Sequence, residues 1–500
     1  MKSYEKLEVK FRRLSNFSHL SAMVAWDEAV NMPTGSGEAR NEAMVELETL
    51  IHDEYMSPDV AELISRAESE VDELNEWQAA NLREMRTRWL RHTSVSKDLV
   101  QRLTFARMKC EQAWRTLRVE NNWKTFAPLL NEVVQCGREE AQQRSESSGL
   151  APYDSMLDLY EEGVTEELID FSFEPLRKFL PNFIPEVVEK QKNEKLVYQE
   201  GLISKDHQRA LSIKIMEFLG FNFEKGRLDT SHHPFCGGVP DDVRITTRYS
   251  ESDFTECLMS VIHETGHGSY EQGLPIEWRG QPAGSAMGMA FHESQSLFYE
   301  MQIGRSESFL NAVTPILKEF LGREGDPARL WESENLHRLF TRVMPGYIRV
   351  NADEATYPLH IMMRYEIEKE LIAGSLSVKD IPEVWDTKMY QYLGLRTEGN
   401  FKDGCMQDGH WAAGAFGYFP SYTLGAMIAA QLFQAMEESL PNVQSEILSG
   451  DLLNVKQWLN DHIWSKGSTL NFNDLLVKAT GDTLNSQIFI RHLKKRFLED

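Results

Sequence analysis

The chain has 500 residues, 41% of them hydrophobic and 26% charged, a composition typical of a folded globular protein and unlike that of disordered or fibrous chains. Its 53 basic and 77 acidic residues give a formal net charge of −24, which argues against nucleic acid as a partner because phosphate binding requires basic surfaces. No apolar run is long enough to span a membrane, the amino terminus lacks a signal-peptide pattern, and five widely spaced cysteines without a CxxC pair favour a reducing compartment, so we expect a cytoplasmic protein.

The first part of the chain, residues 1–225, carries apolar side chains at helical spacing and is predicted to form a series of helices. A Pro- and Gly-containing segment at Met32–Gly37 interrupts this pattern, and Gly149 marks a further break. Pro181 and Pro185 are expected to mark breaks in the helices that follow. No linker separates this part from the rest, so we predict one large domain rather than several small ones.

The composition changes at Leu228–Pro240, where Gly, Pro and Asp residues cluster ahead of the alternating, β-branched segment Val243–Tyr249. Such alternation predicts strands, so we expect a short hairpin or a three-stranded sheet beside the next helix. Ser250 or Ser252 is predicted to cap that helix, with Asp253 in its first turn.

The helix that follows carries His263, Glu264 and His267 in the pattern HExxH. Residues four apart stand on one helical face, so the two histidines can bind one metal ion while Glu264 reaches the water on that ion. This arrangement is typical of zinc metallopeptidases, although two histidines on a helix can also be an ordinary solvated or core feature. Gly266 is costly inside a helix, which predicts that another segment packs closely against it.

A catalytic zinc site needs a third protein ligand. In one class of HExxH enzymes a histidine six residues after His267 supplies it, but that position is Gly273 here. Glu293, in His292-Glu-Ser-Gln-Ser296, lies one loop downstream on a helix that can pack antiparallel to the first, and it would complete a His-His-Glu set. From spacing alone, Glu293 could equally be an ordinary surface carboxylate.

The rest of the chain alternates predicted helices with Gly- and Pro-rich loops. In order, we predict a loop at 274–285, further helices to about 340, a break at Pro345–Asp353, a helix with Pro358 in its first turn that runs to about Ala373, a loop at Gly399–Gly417, apolar helices over Pro420–Met436 and a helical tail at 441–500.

Six segments of this sequence, taken together and in order, resemble the signatures of the carboxypeptidase Taq family, the M32 metallocarboxypeptidases. The six segments are His233-Pro-Phe, Asp242-Val-Arg-Ile-Thr246, His263-Glu-Thr-Gly-His267, His292-Glu-Ser-Gln-Ser296, Ile348-Arg-Val-Asn-Ala-Asp353 and Gly404-Cys-Met-Gln-Asp-Gly-His-Trp411. Trp26-Asp27 near the amino terminus is similar to the family as well. The resemblance therefore spans essentially the whole chain.

This resemblance implies a mainly α fold: a large, single-domain zinc-peptidase helical fold with a deep substrate groove and a small β-sheet near the metal helix. Residues 1–500 would form one catalytic domain, with a helical groove wall at 1–225, the metal site and substrate-binding region at 226–440, and carboxy-terminal helices at 441–500. The family resemblance also implies a homodimer, a Zn²⁺ ion (with Co²⁺ possible) and removal of carboxy-terminal residues from peptides.

By the same resemblance, His263, His267 and Glu293 are the metal ligands and Glu264 is the catalytic base. Zinc lowers the pKa of its water to about 7, and an adjacent carboxylate can take the proton that is released. We expect Glu264 to pass that proton to the leaving amine of the cleaved peptide.

A carboxypeptidase must also recognise the free carboxylate of its substrate, and the arginine fork matches a carboxylate with two hydrogen bonds. Arg349 is our first candidate, with a structural pair to Asp353 as the alternative. Arg244 resembles part of the segment that closes the groove beyond the last substrate residue, and a structural ion pair with Asp242 is its alternative.

His410, Tyr418 and Tyr422 lie on the Gly-rich loop and at the start of the helix after it, where such groups can hydrogen-bond the oxyanion or the peptide backbone. Spacing does not choose between the two tyrosines, and each can also be an ordinary core or rim aromatic residue. His233, which precedes a proline, could face the groove or bond a turn carbonyl.

Asp353 and Glu300 are candidates for carboxylates that orient the histidine ligands by bonding the ring nitrogen that faces away from the metal.

The sequence leaves two rival functions open. One is an endo-acting oligopeptidase of the same metal class, and the other is a peptide-binding or metal-dependent structural protein without catalysis. Glu264 argues against the second rival, because a binding protein has no use for a base beside the metal ligands.

Overall fold

The computed structural model describes residues 2–33 and 35–499 and is 69% helical. Twenty α-helices, α1 to α20 in chain order, are present in this described part: Lys2–Val30, Gly37–Tyr55, Pro58–Ser69, Glu76–Thr93, Lys97–Leu117, Trp123–Ser148, Pro152–Leu157, Glu166–Gln191, Lys205–Phe218, Phe254–Gly273, Met289–Leu297, Glu307–Leu321, Ser333–Phe340, Tyr357–Ala373, Ile381–Leu393, Pro420–Ser439, Val443–Ser449, Leu453–His462, Phe472–Thr480 and Ser486–Phe497. The strands β1 to β3 span Gly226–Thr230, Phe235–Val239 and Asp242–Thr247. The predicted mainly helical architecture with a small sheet is confirmed.

The predicted breaks in the amino-terminal half are only partly correct. The Met32–Gly37 segment separates α1 from α2, with Thr34 outside the described residues, and Gly149 ends α6 in a left-handed conformation with φ 79°. The prediction for Pro181 and Pro185 is wrong, because α8 continues through both of them. Buried apolar side chains along α8 anchor the helix in the core, and this packing outweighs the hydrogen bonds that the prolines remove.

The three strands form one sheet in the order β1-β3-β2, so the three-stranded alternative is correct. The central strand β3 runs parallel to β1 and antiparallel to β2, and it places Arg244 opposite Arg227. Val243 and Ile245 of β3 are fully buried against α10 in a small apolar cluster. The sheet therefore packs on the back of the helix that carries the HExxH residues.

The predicted serine cap of α10 is wrong. Asp253 is the N-cap, and its carboxylate accepts a hydrogen bond from the Thr255 N–H at 2.8 Å. Ser250 and Ser252 bond each other instead, with 3.1 Å between their hydroxyl oxygens. An Asp cap also places a negative charge at the positive end of the helix dipole, which favours it over a serine hydroxyl.

Apolar side chains of the described residues form three clusters. Helices α1 to α4 pack around their own small cluster, the sheet and the back of α10 share a second one, and a much larger cluster extends from α5 to α20. The site helices α10, α11 and α16 all contribute to the large cluster, which holds them rigidly. None of the described helices combines the length and apolarity needed to cross a membrane.

The helix α11 lies between α10 and α16, and two glycines permit this close packing. A Cβ added at Gly266 of α10 would lie 2.4 Å from the Gln295 carbonyl oxygen, which confirms the predicted close approach. A Cβ at Gly425 of α16 would lie 2.9 Å from the Glu293 side chain. The two helices α10 and α11 run antiparallel, since Tyr270 near the end of α10 meets Met287 just before α11. Glu293 is thus pressed between the two neighbouring helices.

Candidate active site

His263 and His267 of α10 and Glu293 of α11 form one compact cluster. The two imidazole centroids are 5.0 Å apart. The Glu293 Oε2 atom lies 4.0 Å from Nε2 of His263 and 3.5 Å from Nε2 of His267, and the three donor atoms all lie within 4.8 Å of one another. Two imidazole nitrogens and a carboxylate oxygen are the donors of a catalytic zinc site, so the residues fit a divalent metal ion.

The charges of the site also favour a cation. Burial lowers the pKa of His267 to about 4, which keeps this imidazole neutral and able to act as a ligand. For His263, burial lowers the pKa, but the carboxylates of Glu293 and Glu300 outweigh it and raise the pKa to about 10. A buried site in which carboxylates hold a proton on His263 is one where a metal cation can take the place of that proton.

Glu264 follows His263 on α10 and is buried, with 7% of its surface exposed. Its Oε2 atom has no hydrogen-bond partner among the described residues. Burial is the main reason that its pKa rises to about 7. An unpartnered buried carboxylate oxygen is costly unless a bound group satisfies it, so Glu264 is consistent with a site that receives a metal, its water and a substrate. A pKa near 7 suits proton transfer at neutral pH.

One of the two predicted orienting carboxylates makes the expected contact. Glu300 Oε2 lies 2.9 Å from Nδ1 of His263, and Arg305 donates a hydrogen bond to Glu300 Oε1 at 2.5 Å. The prediction for Asp353 is wrong, because its carboxylate accepts hydrogen bonds from backbone N–H groups, including that of Met344 at 3.0 Å. Asp353 therefore shapes the turn before α14 rather than orienting a histidine ligand.

The partner of His267 was not predicted. His292, the residue before Glu293, lies with its Nδ1 2.7 Å from Nδ1 of His267. Its Nε2 lies 2.9 Å from Oε1 of Glu271. One signal in the sequence could have pointed to this contact. Glu271 follows His267 by four residues, as His267 follows His263, so all three stand on one face of α10.

Arg349 is buried and is held by Asp408 rather than by Asp353, so the alternative pairing with Asp353 is wrong. Its Nε and Nη2 atoms donate to Asp408 Oδ1 at 3.0 and 2.8 Å, and its Nη1 donates to the Tyr357 hydroxyl at 2.5 Å. Asp408 also accepts a hydrogen bond from Arg364 at 2.7 Å. The sequence placed Asp408 in a family segment but gave no sign that it bridges two arginines.

His410, Tyr418 and Tyr422 lie together with Arg349. The Arg349 guanidinium stacks over the Tyr422 ring at 4.9 Å, and the Tyr422 hydroxyl lies 3.3 Å from Nε2 of His410. The rings of Tyr418 and Tyr422 are 5.3 Å apart, edge to face. Burial raises the pKa of both tyrosines, so their hydroxyls stay protonated at neutral pH. Because Tyr422 and Gly425 share the first turns of α16, this group lies next to Glu293.

Arg244 forms the ion pair given above as its alternative reading, with hydrogen bonds of 3.0 and 2.9 Å to Asp242. Its guanidinium also stacks on Trp26 of α1 at 4.2 Å, with Arg227 over the same ring at 4.9 Å. His233 is exposed, and its ring contacts His232, with 4.6 Å between the ring centroids. In the described residues, the structure therefore joins Arg244 to the amino-terminal helices and does not bring His233 into the metal cluster.

A His-His-Glu cluster on two antiparallel helices, with a buried glutamate beside the first histidine, defines an HExxH-class metallopeptidase. The family model described as carboxypeptidase Taq (M32) metallopeptidase matches residues 6–497. The chain therefore belongs to the carboxypeptidase Taq (M32) metallopeptidase family, which confirms the predicted resemblance and the prediction of a metal-dependent carboxypeptidase.

Similar proteins agree with this assignment. Carboxypeptidase 1 of Bacillus subtilis (strain 168) is 33% identical over 489 residues, covering 97% of this chain and 96% of that protein. Thermostable carboxypeptidase 1 of Thermus thermophilus is 33% identical over 506 residues, covering 99% of this chain and 98% of that protein. Among solved structures, Trypanosoma cruzi metallocarboxypeptidase 1 matches with a TM-score of 0.97 and 43% identity, and the match covers 100% of both chains.

Proposed function

We propose that this protein is a cytoplasmic, zinc-dependent carboxypeptidase that releases single residues from the carboxyl ends of peptides. Cobalt is the alternative metal, and we propose a homodimer in which residues 1–500 of each chain form one catalytic domain. The observation that carries the proposal is the His263, His267 and Glu293 cluster beside the buried, unpartnered carboxylate of Glu264, in a chain of the M32 family. The family name implies a metal, and two imidazoles with a carboxylate support zinc, with cobalt as the alternative.

When bound, a zinc ion would act as a Lewis acid, acidifying water and polarising the scissile carbonyl. In the proposed mechanism, Glu264 accepts a proton from the attacking water and later delivers it to the leaving amine. This role is supported by its raised pKa of about 7, since a base with that value can both take and return a proton near neutral pH.

We propose that Arg349 binds the free carboxylate of the substrate. A guanidinium has five N–H donors, and three of its nitrogens already bond Asp408 and Tyr357. One N–H on each Nη remains available to donate to a carboxylate. Asp408 carries one negative charge between Arg349 and Arg364, so the buried group keeps a net positive charge that attracts an anion.

The remaining substrate contacts are proposed from their position around Arg349. Tyr418 and Tyr422 have protonated hydroxyls that can donate to a developing oxyanion, and His410 can bond the peptide backbone. We propose that one of the two tyrosines serves the oxyanion, and separate Tyr-to-Phe changes would decide which. Arg244 is proposed to close the end of the groove, and His233 remains a predicted substrate contact.

The proposal is tested with one peptide prepared with a free or an amidated carboxyl terminus. The expected result is a ladder of carboxy-terminal truncations from the free acid only, which stops when a chelator removes the metal. Equal cleavage of both peptides would instead support the endo-acting alternative. Arg349→Met should abolish the preference for the free acid, whereas Arg349→Lys, which keeps the charge but lacks the fork, should retain part of it.

The catalytic role of Glu264 is tested separately with Glu264→Gln. This variant should keep its metal content, measured by elemental analysis, and lose about 10²–10⁴-fold in hydrolysis rate, because general base catalysis contributes that much. Full activity in the variant would contradict the mechanism. If the wild-type protein binds metal and peptide but cleaves nothing, the chain would be a binding protein on the same scaffold.

A further inference from the structure

The two histidine ligands differ in what supports them from behind. Nδ1 of His263 meets the Glu300 carboxylate directly. Nδ1 of His267 instead lies 2.7 Å from Nδ1 of a second imidazole, that of His292. Nε2 of His292 lies 2.9 Å from Oε1 of Glu271. This second chain of contacts has no part in the mechanism above, although it ends on a metal ligand.

Only one placement of hydrogens along this chain is compatible with metal binding. Nε2 of His267 faces Glu293 at 3.5 Å, so it is the nitrogen that a metal would use, and a neutral imidazole must then carry its hydrogen on Nδ1. That hydrogen is donated to Nδ1 of His292. His292 must therefore carry its own hydrogen on Nε2, where Glu271 accepts it. The reverse direction would place a hydrogen on Nε2 of His267 and block the metal.

The helices fix each member of this chain. Glu271 stands one turn beyond His267 on the same face of α10, and His292 precedes Glu293 on α11. The side chains of Glu271 and His292 retain only 23% and 17% exposure. The Tyr270 ring packs beside His292 with centroids 5.4 Å apart, and its hydroxyl accepts a hydrogen bond from the Met287 N–H. The imidazole of His292 therefore lies against a tyrosine ring that is itself held in place.

We propose that His292 and Glu271 are positioning residues that set the tautomer, ring orientation and donor strength of His267 for the metal. The Glu271 carboxylate accepts a hydrogen bond from Nε2 of His292, which makes Nδ1 of His292 a stronger acceptor. That stronger acceptor polarises the Nδ1–H bond of His267 and makes His267 a stronger metal ligand. The inference rests on the proposed metal site. Consecutive residues of α11 then have two different roles. Glu293 binds the metal, and His292 supports the other ligand, His267.

The test measures the dissociation constant for Zn²⁺ by competition with a chromophoric chelator, together with the visible absorption of bound Co²⁺. His292→Phe keeps a ring but removes both nitrogens, and we expect binding to weaken about 10–100-fold, as is typical when such supporting contacts are lost. His292→Asn places an amide oxygen near the Nδ1 position and should recover most of the affinity. Glu271→Leu should weaken binding less than His292→Phe, because His292 remains.

Glu256, on the exposed part of the same helix, provides the control, and Glu256→Leu should leave the dissociation constant unchanged. An unchanged constant and an unchanged Co²⁺ spectrum in His292→Phe would overturn the proposal. If that variant does not fold, equal affinities for Glu271→Leu and wild type would overturn it instead. Because binding is measured apart from hydrolysis, a wild-type protein that binds metal but cleaves no peptide would contradict the proposed activity and leave this inference standing.

Discussion

Glu161 offers a sharp test of how the site is built, because it caps the helix that carries Glu293. Its carboxylate accepts hydrogen bonds from the N–H groups of Ala290 at 2.8 Å and Phe291 at 3.2 Å. The residue is buried, with 2% exposure, and no ion pair reaches it among the described residues. Burial raises its pKa from 4.5 to about 8, although the two N–H groups act in the opposite direction.

The raised pKa makes stability depend on pH in a direction that can be worked out. Between pH 4.5 and about 8, the folded protein holds a proton on Glu161 that the unfolded chain has lost. The stability from this group is therefore fully present below pH 4.5 and is lost as pH rises through about 8. One proton changes the free energy of unfolding by about 1.4 kcal/mol per pH unit, so the whole window accounts for at most about 5 kcal/mol.

The change Glu161→Gln keeps an oxygen for both N–H groups but cannot ionise, so this part of the pH dependence should disappear. We would measure urea unfolding by circular dichroism between pH 5 and 8, with chelator present so that metal binding does not contribute. The variant should gain stability relative to wild type as pH rises. Glu167→Gln, at an exposed position early in α8, should follow wild type throughout. Parallel profiles for Glu161→Gln and wild type would refute the reasoning.

Three further predictions concern packing, charge and metal. Gly266→Ala places a Cβ against the Gln295 carbonyl, so we expect a loss of about 1–3 kcal/mol in the free energy of unfolding, measured with urea; no loss would contradict the close packing. Asp408→Asn removes the negative charge that the buried guanidinium groups of Arg349 and Arg364 share, and we expect about 3–5 kcal/mol lower stability and a changed KM for free-acid peptides. An unchanged KM would argue against Arg349 as the carboxylate site. Removing the metal with a chelator should lower the thermal unfolding midpoint, and added Zn²⁺ should restore it in a concentration-dependent way. A midpoint that does not change with metal would argue against a metal site in the folded protein.

Much of the metal site could be predicted from the sequence because helical geometry is local. Residues four apart face the same way, so His263 and His267 are neighbours in any fold that keeps α10 helical. Glu264 directly follows His263 in the chain, so it lies beside the same cluster. The close approach at Gly266 was also predictable, since a glycine is rarely placed inside a helix without a reason. The alternating strand β3 was predicted because a period of two is equally local.

The partners of the buried charges could be decided only by the tertiary structure. Arg349 has Asp353 four residues along the chain, yet it pairs with Asp408, 59 residues away, because the turn before α14 uses Asp353 for its own backbone. His292 reaches His267 only because α10 and α11 pack antiparallel across Gly266. The sequence by itself therefore determined that His263 and His267 can bind one metal ion, since one helix sets their spacing, but it left Glu293 open because that residue lies on another helix. The packing of distant segments decided what holds those residues, because hydrogen bonds between helices depend on how the helices dock and not on the order of residues within each one.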